Sequence, residues 1–111
     1  MMMSDNALQF GEIVLLKFPF TSGGKLKKRP ALILFDCGDE DVIVCRITSK
    51  LYDTEFDFRI EGWKKAGLKL PSVIRIHKIA TLGKDLIYKK IGRINKHLAE
   101  DIKTKYQTSL Q

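Results

Sequence analysis

The chain has 111 residues, 44% of them hydrophobic and 30% charged, with 20 Lys and Arg against 13 Asp and Glu for a formal charge of +7. That length suits one domain with a real core, and the apolar fraction excludes wholesale disorder. The positive balance favours an anionic partner, nucleic acid ahead of membrane, while saying nothing about fold.

Met1–Gln9, MMMSDNALQ, reads as a loose arm without the apolar centre of a signal peptide. No later run approaches the roughly 18–20 apolar residues that cross a bilayer. The cytoplasm is therefore expected, with residues 10–111 forming a single domain. Glu12–Phe18 is a strand with Ile13, Leu15 and Lys17 on one face and Val14, Leu16 and Phe18 on the other, so it belongs inside a curved sheet. Phe18-Pro19-Phe20 ends it.

Thr21–Lys28 is a loop in which Gly23-Gly24 permits unusual backbone angles. Lys25, Lys27, Lys28 and Arg29 concentrate positive charge there with no acid among them, which is either a phosphate-handling site or a solvated turn. Pro30 opens a second strand, and Asp36–Asp41 is a charged hairpin turn. Val42–Thr48, VIVCRIT, pairs back with Val42, Val44, Arg46 and Thr48 on one face and Ile43, Cys45 and Ile47 on the other. Cys37 and Cys45 flank or occupy these apolar runs, so reduced thiols are expected rather than a bridge.

Ser49–Thr54 is a linker. Glu55–Ile60, EFDFRI, directs Phe56, Phe58 and Ile60 to the core and Glu55, Asp57 and Arg59 to water. Glu61–Leu68 is a compact turn holding Trp63 beside Lys64. In SVIRIHKI, Val73, Arg75 and His77 share one face. A strand over Leu86–Ile94, broken at Gly92, precedes a helix capped by Asn95 and carrying Leu98, Ile102, Tyr106 and Leu110 every four residues. The whole predicts a mainly β fold, a small, strongly bent antiparallel barrel of six or seven strands closed by one C-terminal helix.

Ready-made nucleotide, metal and calcium motifs are missing from the sequence. His77 and His97 lie twenty residues apart, a poor beginning for a metal site, and no cofactor is expected. Trp63 either packs or, beside Lys64, stacks a base.

GEIVLLKFPF, the basic loop ending in KKRPALIL, the strand VIVCRITS, then LPSVIRIHKIATL and KKIGRI together resemble the MazF/PemK toxins of bacterial toxin–antitoxin pairs. The likeness spans about residues 10–107. It implies an SH3-like barrel acting as a sequence-specific, metal-independent endoribonuclease on single-stranded RNA. It also implies a homodimer and a cognate antitoxin whose extended tail lies over the RNA groove, with DNA binding by the toxin–antitoxin complex a further possibility. Alternatives on the same scaffold are a catalytically weak nucleic-acid-binding growth regulator, or a domain that mainly binds the antitoxin tail.

Carried over by position, Arg29 resembles the arginine ending the family's first loop, and Thr48 the threonine or serine closing its third strand. Arg75 matches an arginine used in one branch, whereas His77 stands where that branch has an aspartate. Gly23, Gly24 and Lys25 stand where some members carry a loop glutamate. The matches imply catalytic roles for Arg29, Thr48 and Arg75. His77 joins the catalytic candidates by its residue type, and Lys25, Lys27, Lys28, Ser49, Lys50, Trp63 and Lys64 are expected to contact nucleic acid.

The chemistry of such cleavage needs a base for the ribose 2′-hydroxyl, an acid for the leaving 5′-oxygen, and cations for the charge on the phosphate. A guanidinium donates two parallel hydrogen bonds to phosphate but is a poor proton acceptor. A threonine hydroxyl orients or donates. A histidine ordinarily titrates near neutrality, which makes His77 a proton shuttle or else a half-buried strand residue.

Overall fold

The computed structural model describes residues 7–19 and 26–111. Among these residues six strands form one antiparallel sheet: β1 (Glu12–Pro19), β2 (Leu26–Asp36), β3 (Asp41–Thr48), β4 (Asp57–Arg59), β5 (Val73–Gly83) and β6 (Ile87–Arg93), followed by the helix α1 (Lys96–Ser109). The spatial order is β4-β5-β3-β2-β1-β6, which puts β1 inside the sheet as its two apolar faces require.

Both faces of the sheet bury side chains because it curls on itself. Ile13, Leu32, Cys45, Ile47, Ile74 and Ile76 form one cluster. Val14, Leu16, Ala31, Ile33, Val42 and Val44 form the other. The period-two alternation read in β1 and β3 is therefore real, with each parity feeding its own core. α1 covers the first cluster through Leu98, Ala99, Ile102 and Tyr106. The Tyr106 hydroxyl donates to the Ile76 carbonyl over 2.6 Å. Asn95 caps the helix, its side chain accepting from the Leu98 amide over 2.8 Å. Leu110 departs from the expected apolar row and is 85% exposed, because the helix ends one residue before it.

β2 starts earlier than Pro30. Leu26 to Arg29 continue the ladder with β1, pairing Lys28 with Lys17 and Arg29 with Leu16. The cations expected in a loop are thus strand residues from position 27 onward, while residues 20–25, with Lys25, lie outside the described set. Pro30 is tolerated because pairing of β2 with β3 begins only at Ala31, leaving that side of Pro30 unpaired. The expected arm also lies outside the described residues as far as Asn6. Its last part is tied down: the Leu8 amide donates to Asp36 and the Gln9 amide to Glu12.

The break expected at Gly92 is instead a close approach. β6 runs through it, and a Cβ there would strike the Ala66 carbonyl of the 61–68 turn. Gly67 meets the Ile91 carbonyl in the same way and has φ +94°. This turn, closed by bonds from Ala66 to Gly62 and from Leu68 to Trp63, is thereby stitched to β6. Both cysteines are free, Cys37 exposed and Cys45 buried with its thiol pushed up to about 12 by burial.

Candidate functional site

Pairing of β2 with β3 begins at Ala31↔Arg46, and extending that register by two residues brings Arg29 opposite Thr48. Two clefts meet there. One, of about 550 Å³, runs over Leu16, Ala31, Val44 and Arg46 toward Ile79. The other, of about 360 Å³, runs past Lys28 and Ser49 toward Lys69 and Leu70. Arg29, Pro30, Ile47 and Thr48 line both. Arg29 is exposed and enters no ion pair among the described residues, so its guanidinium is available to an anion. Thr48 is half-buried, and its Oγ1 accepts the Lys50 amide over 3.2 Å. Lys28 holds its Nζ 3.9 Å from the centre of the Tyr88 ring. Lys27 is exposed on the same strand.

Thr48 pairs with Val73, Arg46 with Arg75, and Arg75 in turn with Asp57. Ile47 and Ile74 occupy the core between these positions, so Thr48 and Arg75 share the opposite face as diagonal neighbours, roughly 7–8 Å apart along such a ladder. Arg75 nonetheless lines neither cleft. Its Nε donates to Asp57 Oδ1 over 2.8 Å, and its Cζ lies 3.6 Å from the Tyr52 ring centre. Asp57, expected to face water, has a side chain with no exposed surface. Burial alone raises its carboxyl pKa, but bonds from Arg75 and Thr54 outweigh this and hold it below the ordinary carboxylate range.

His77 stands apart from these groups. Between Arg75 and Ile79 the β5 ladder with β3 is interrupted by a bulge, since Arg46 pairs with Arg75 while the adjacent Cys45 pairs with Ile79. The bulge leaves His77 exposed beside Phe56, ring centres 5.5 Å apart, and outside both clefts. Trp63 is half-buried against the first core cluster, with the exposed Lys64 5.4 Å from its ring centre, and neither lines the clefts. Lys50 holds its Nζ 5.0 Å from the Tyr52 ring.

Two contributors escaped sequence reading. Asp57 looked like a surface acid because it alternates with Phe56 and Phe58. Its spacing of three from Thr54 was the available signal, for Thr54 donates to it from both amide and hydroxyl. Tyr52 carried no signal. Among the described residues no three His, Cys, Asp or Glu side chains gather as metal ligands would, and no helix is long and apolar enough to cross a membrane.

A small curled β sheet closed by one helix, with an arginine and a threonine on adjacent strands at a cationic cleft, defines a β domain equipped to receive an anion. The chain belongs to the PemK-like, MazF-like toxins of type II toxin–antitoxin systems, whose family model matches residues 9–110. Solved structures of similar fold include an endoribonuclease from a mycobacterial species, 20% identical, TM-score 0.72, covering 95% of this chain and 92% of that one. A mycobacterial endoribonuclease in complex with its cognate antitoxin is 20% identical, with TM-score 0.73 over 94% and 95% of the two chains. A MazE–MazF complex from Deinococcus radiodurans is 19% identical, with TM-score 0.73 over 96% and 97%. At these identities the likeness is one of fold. No curated protein matches the chain significantly in sequence.

Proposed function

We propose that this toxin is a sequence-specific endoribonuclease that cuts single-stranded RNA without a metal, through attack of a ribose 2′-hydroxyl on the adjacent phosphate. The observation that carries the reading is the Arg29–Thr48 pair where the two clefts meet. Arg29 donates to the non-bridging phosphate oxygens as negative charge builds on them. Thr48 donates its hydroxyl hydrogen beside it, since its oxygen already accepts the Lys50 amide. Lys27, Lys28 and Ser49 supply charge and polarity to the flanking backbone. As the 2′-oxygen bonds to phosphorus, the bond from phosphorus to the 5′-oxygen of the next nucleotide breaks. The 2′-proton passes to a water or a phosphate oxygen of the RNA and the 5′-oxygen takes its proton from water, since among the described residues no carboxylate or imidazole lines either cleft.

The family and the mycobacterial and Deinococcus complexes support a cognate antitoxin as protein partner. DNA binding by the toxin–antitoxin pair and a cytoplasmic location belong to the same proposal. The two edge strands β4 and β6, with Phe35, Leu70 and Ile79 each more than half exposed, support a homodimer as part of this proposal. Sedimentation near twice 12.7 kDa is the expected result, and a monomer at micromolar concentration refutes it.

One observation favours a second reading, a binder that cuts weakly: Arg75 and His77 both lie off the clefts. Digestion of a long mixed-sequence RNA in excess EDTA, with end-group analysis, separates the two. Cyclic phosphate ends support the nuclease. Retained binding with intact RNA supports the binder.

A further inference from the structure

We infer that Arg75 acts on the Arg29–Thr48 cleft as a positioning residue, working through Tyr52 to fix the Thr48 hydroxyl as a donor. The inference deepens the endoribonuclease reading and rests on it.

Three contacts form the relay. The Arg75 guanidinium lies 3.6 Å from the centre of the Tyr52 ring. The Tyr52 amide donates to the Lys50 carbonyl over 2.8 Å. The Lys50 amide then donates to Thr48 Oγ1 over 3.2 Å. A threonine hydroxyl has one hydrogen and two lone pairs, so engaging the oxygen with a backbone amide leaves the hydrogen to be offered elsewhere. Beside Arg29, that is toward an anion in the cleft. Without the Lys50 amide, the hydroxyl turns freely and divides its time between donating and accepting.

Arg75 is suited to anchor this relay because it is itself immobilised. Asp57 Oδ1 takes its Nε, while Asp57 Oδ2 takes the amide and hydroxyl of Thr54 at 3.0 and 2.6 Å. The segment between Thr48 and Asp57 is therefore held at Tyr52 by the guanidinium face and at Thr54 by the carboxylate. The ring face that meets Arg75 at 3.6 Å has no room for a base, and Tyr52 lines neither cleft, so it acts on Thr48 only through the backbone.

The test uses Tyr52→Leu, Tyr52→Phe, Arg75→Gln and the Leu/Gln double variant in single-turnover cleavage of a short RNA. The RNA spans the first site mapped on a long mixed-sequence transcript. Misplacing a reacting group by about 1 Å commonly costs up to about 100-fold, so Tyr52→Leu and Arg75→Gln should each lose about 10- to 100-fold in rate. RNA affinity should stay within about threefold, and the double variant should be no worse than the poorer single one. Tyr52→Phe keeps the ring and should keep most of the rate. A normal rate in Tyr52→Leu beside a dead Arg75→Gln means that Arg75 touches RNA directly, and overturns the inference.

Backbone 15N order parameters over residues 49–54 give a readout that needs no activity. They should fall from about 0.85 to below about 0.6 in Tyr52→Leu and hold in Tyr52→Phe. A loop still ordered in Tyr52→Leu also overturns the inference. Should the wild type cut no RNA, the nuclease reading fails, while the order parameters still decide whether the clamp exists.

Discussion

Arg75 and Asp57 face each other across β5 and β4 with Nε 2.8 Å from Oδ1, the guanidinium side chain 10% exposed and the carboxylate side chain not exposed at all. A pair so removed from water adds little net stability against an apolar substitute, but its members depend on each other. Asp57→Ala strands a covered cation and should cost about 3–5 kcal/mol in urea unfolding. Asp57→Ala combined with Arg75→Met should recover part of that loss. A single-variant cost below about 1 kcal/mol would mark the pair as an ordinary surface bridge.

Acid should loosen the other end of the sheet through Asp36. Its carboxylate accepts Lys84 Nζ at 2.6 Å and the Leu8 and Gly38 amides at 2.9 and 2.8 Å. Lys84 first, then the two amides, bring its pKa from the usual 3.8 down to about 2. A carboxyl depressed on folding contributes fully above its unfolded value and loses that contribution as pH falls toward the folded value. Melting temperature should therefore drop between about pH 4 and pH 2, and Asp36→Asn should be less stable at pH 7 with a shallower drop. A parallel drop in the two proteins would remove Asp36 from the account.

The contrast between these two acids shows what the sequence could disclose. The hairpin at Asp36 was legible because turn residues and apolar runs are local signals. The parity of β3, the Asn95 cap and the helix row through Tyr106 were legible for the same reason. Asp57 was not, since its burial depends on a partner eighteen residues away and on a loop folding back over the strand. Arg29 and Thr48 could be nominated by resemblance, and their meeting depends on the β2–β3 register. The position of His77 depends on a bulge, an extra length of chain that alternation cannot reveal.

Gly67 and Gly92 should tolerate no side chain. A methyl at either position meets a carbonyl of the facing segment, Ile91 or Ala66, and Gly67 also has positive φ. Overpacking of this kind costs about 1–3 kcal/mol. Gly92→Ala should lower the urea midpoint accordingly. Gly38→Ala, which meets nothing within 4 Å, carries only the cost of its own positive φ and separates strain from collision. Equal losses in all three would mean that collision plays no part.

Arg29→Ala should reduce the single-turnover rate far more than it reduces RNA affinity. Removing one preorganised donor from a developing oxyanion costs about 100- to 1000-fold. Stability should be unchanged, because the exposed side chain makes no ion pair among the described residues. Arg29→Lys keeps the charge but not the paired donors, and should recover affinity before rate. A loss below threefold in Arg29→Ala would leave Arg29 as a surface cation only.

His77 gives the sharpest test of position against chemistry. Its residue type suits proton transfer near neutral pH, and its strand parity matches Arg75, which is why it stands among the catalytic candidates. A proton donor or acceptor must come within about 3 Å of the atom it serves, or reach it through one water. His77 instead follows the bulge in β5 to an exposed position beside Phe56, and neither cleft counts it among its walls. A bystander imidazole leaves no limb in a pH–rate profile. His77→Gln should therefore cleave within about threefold of wild type from pH 5 to 8.5, with parallel profiles at fixed ionic strength so that phosphate attraction stays constant. Loss of a limb near neutrality in His77→Gln would instead show that β5 rearranges when RNA binds, bringing the imidazole to the phosphate held by Arg29.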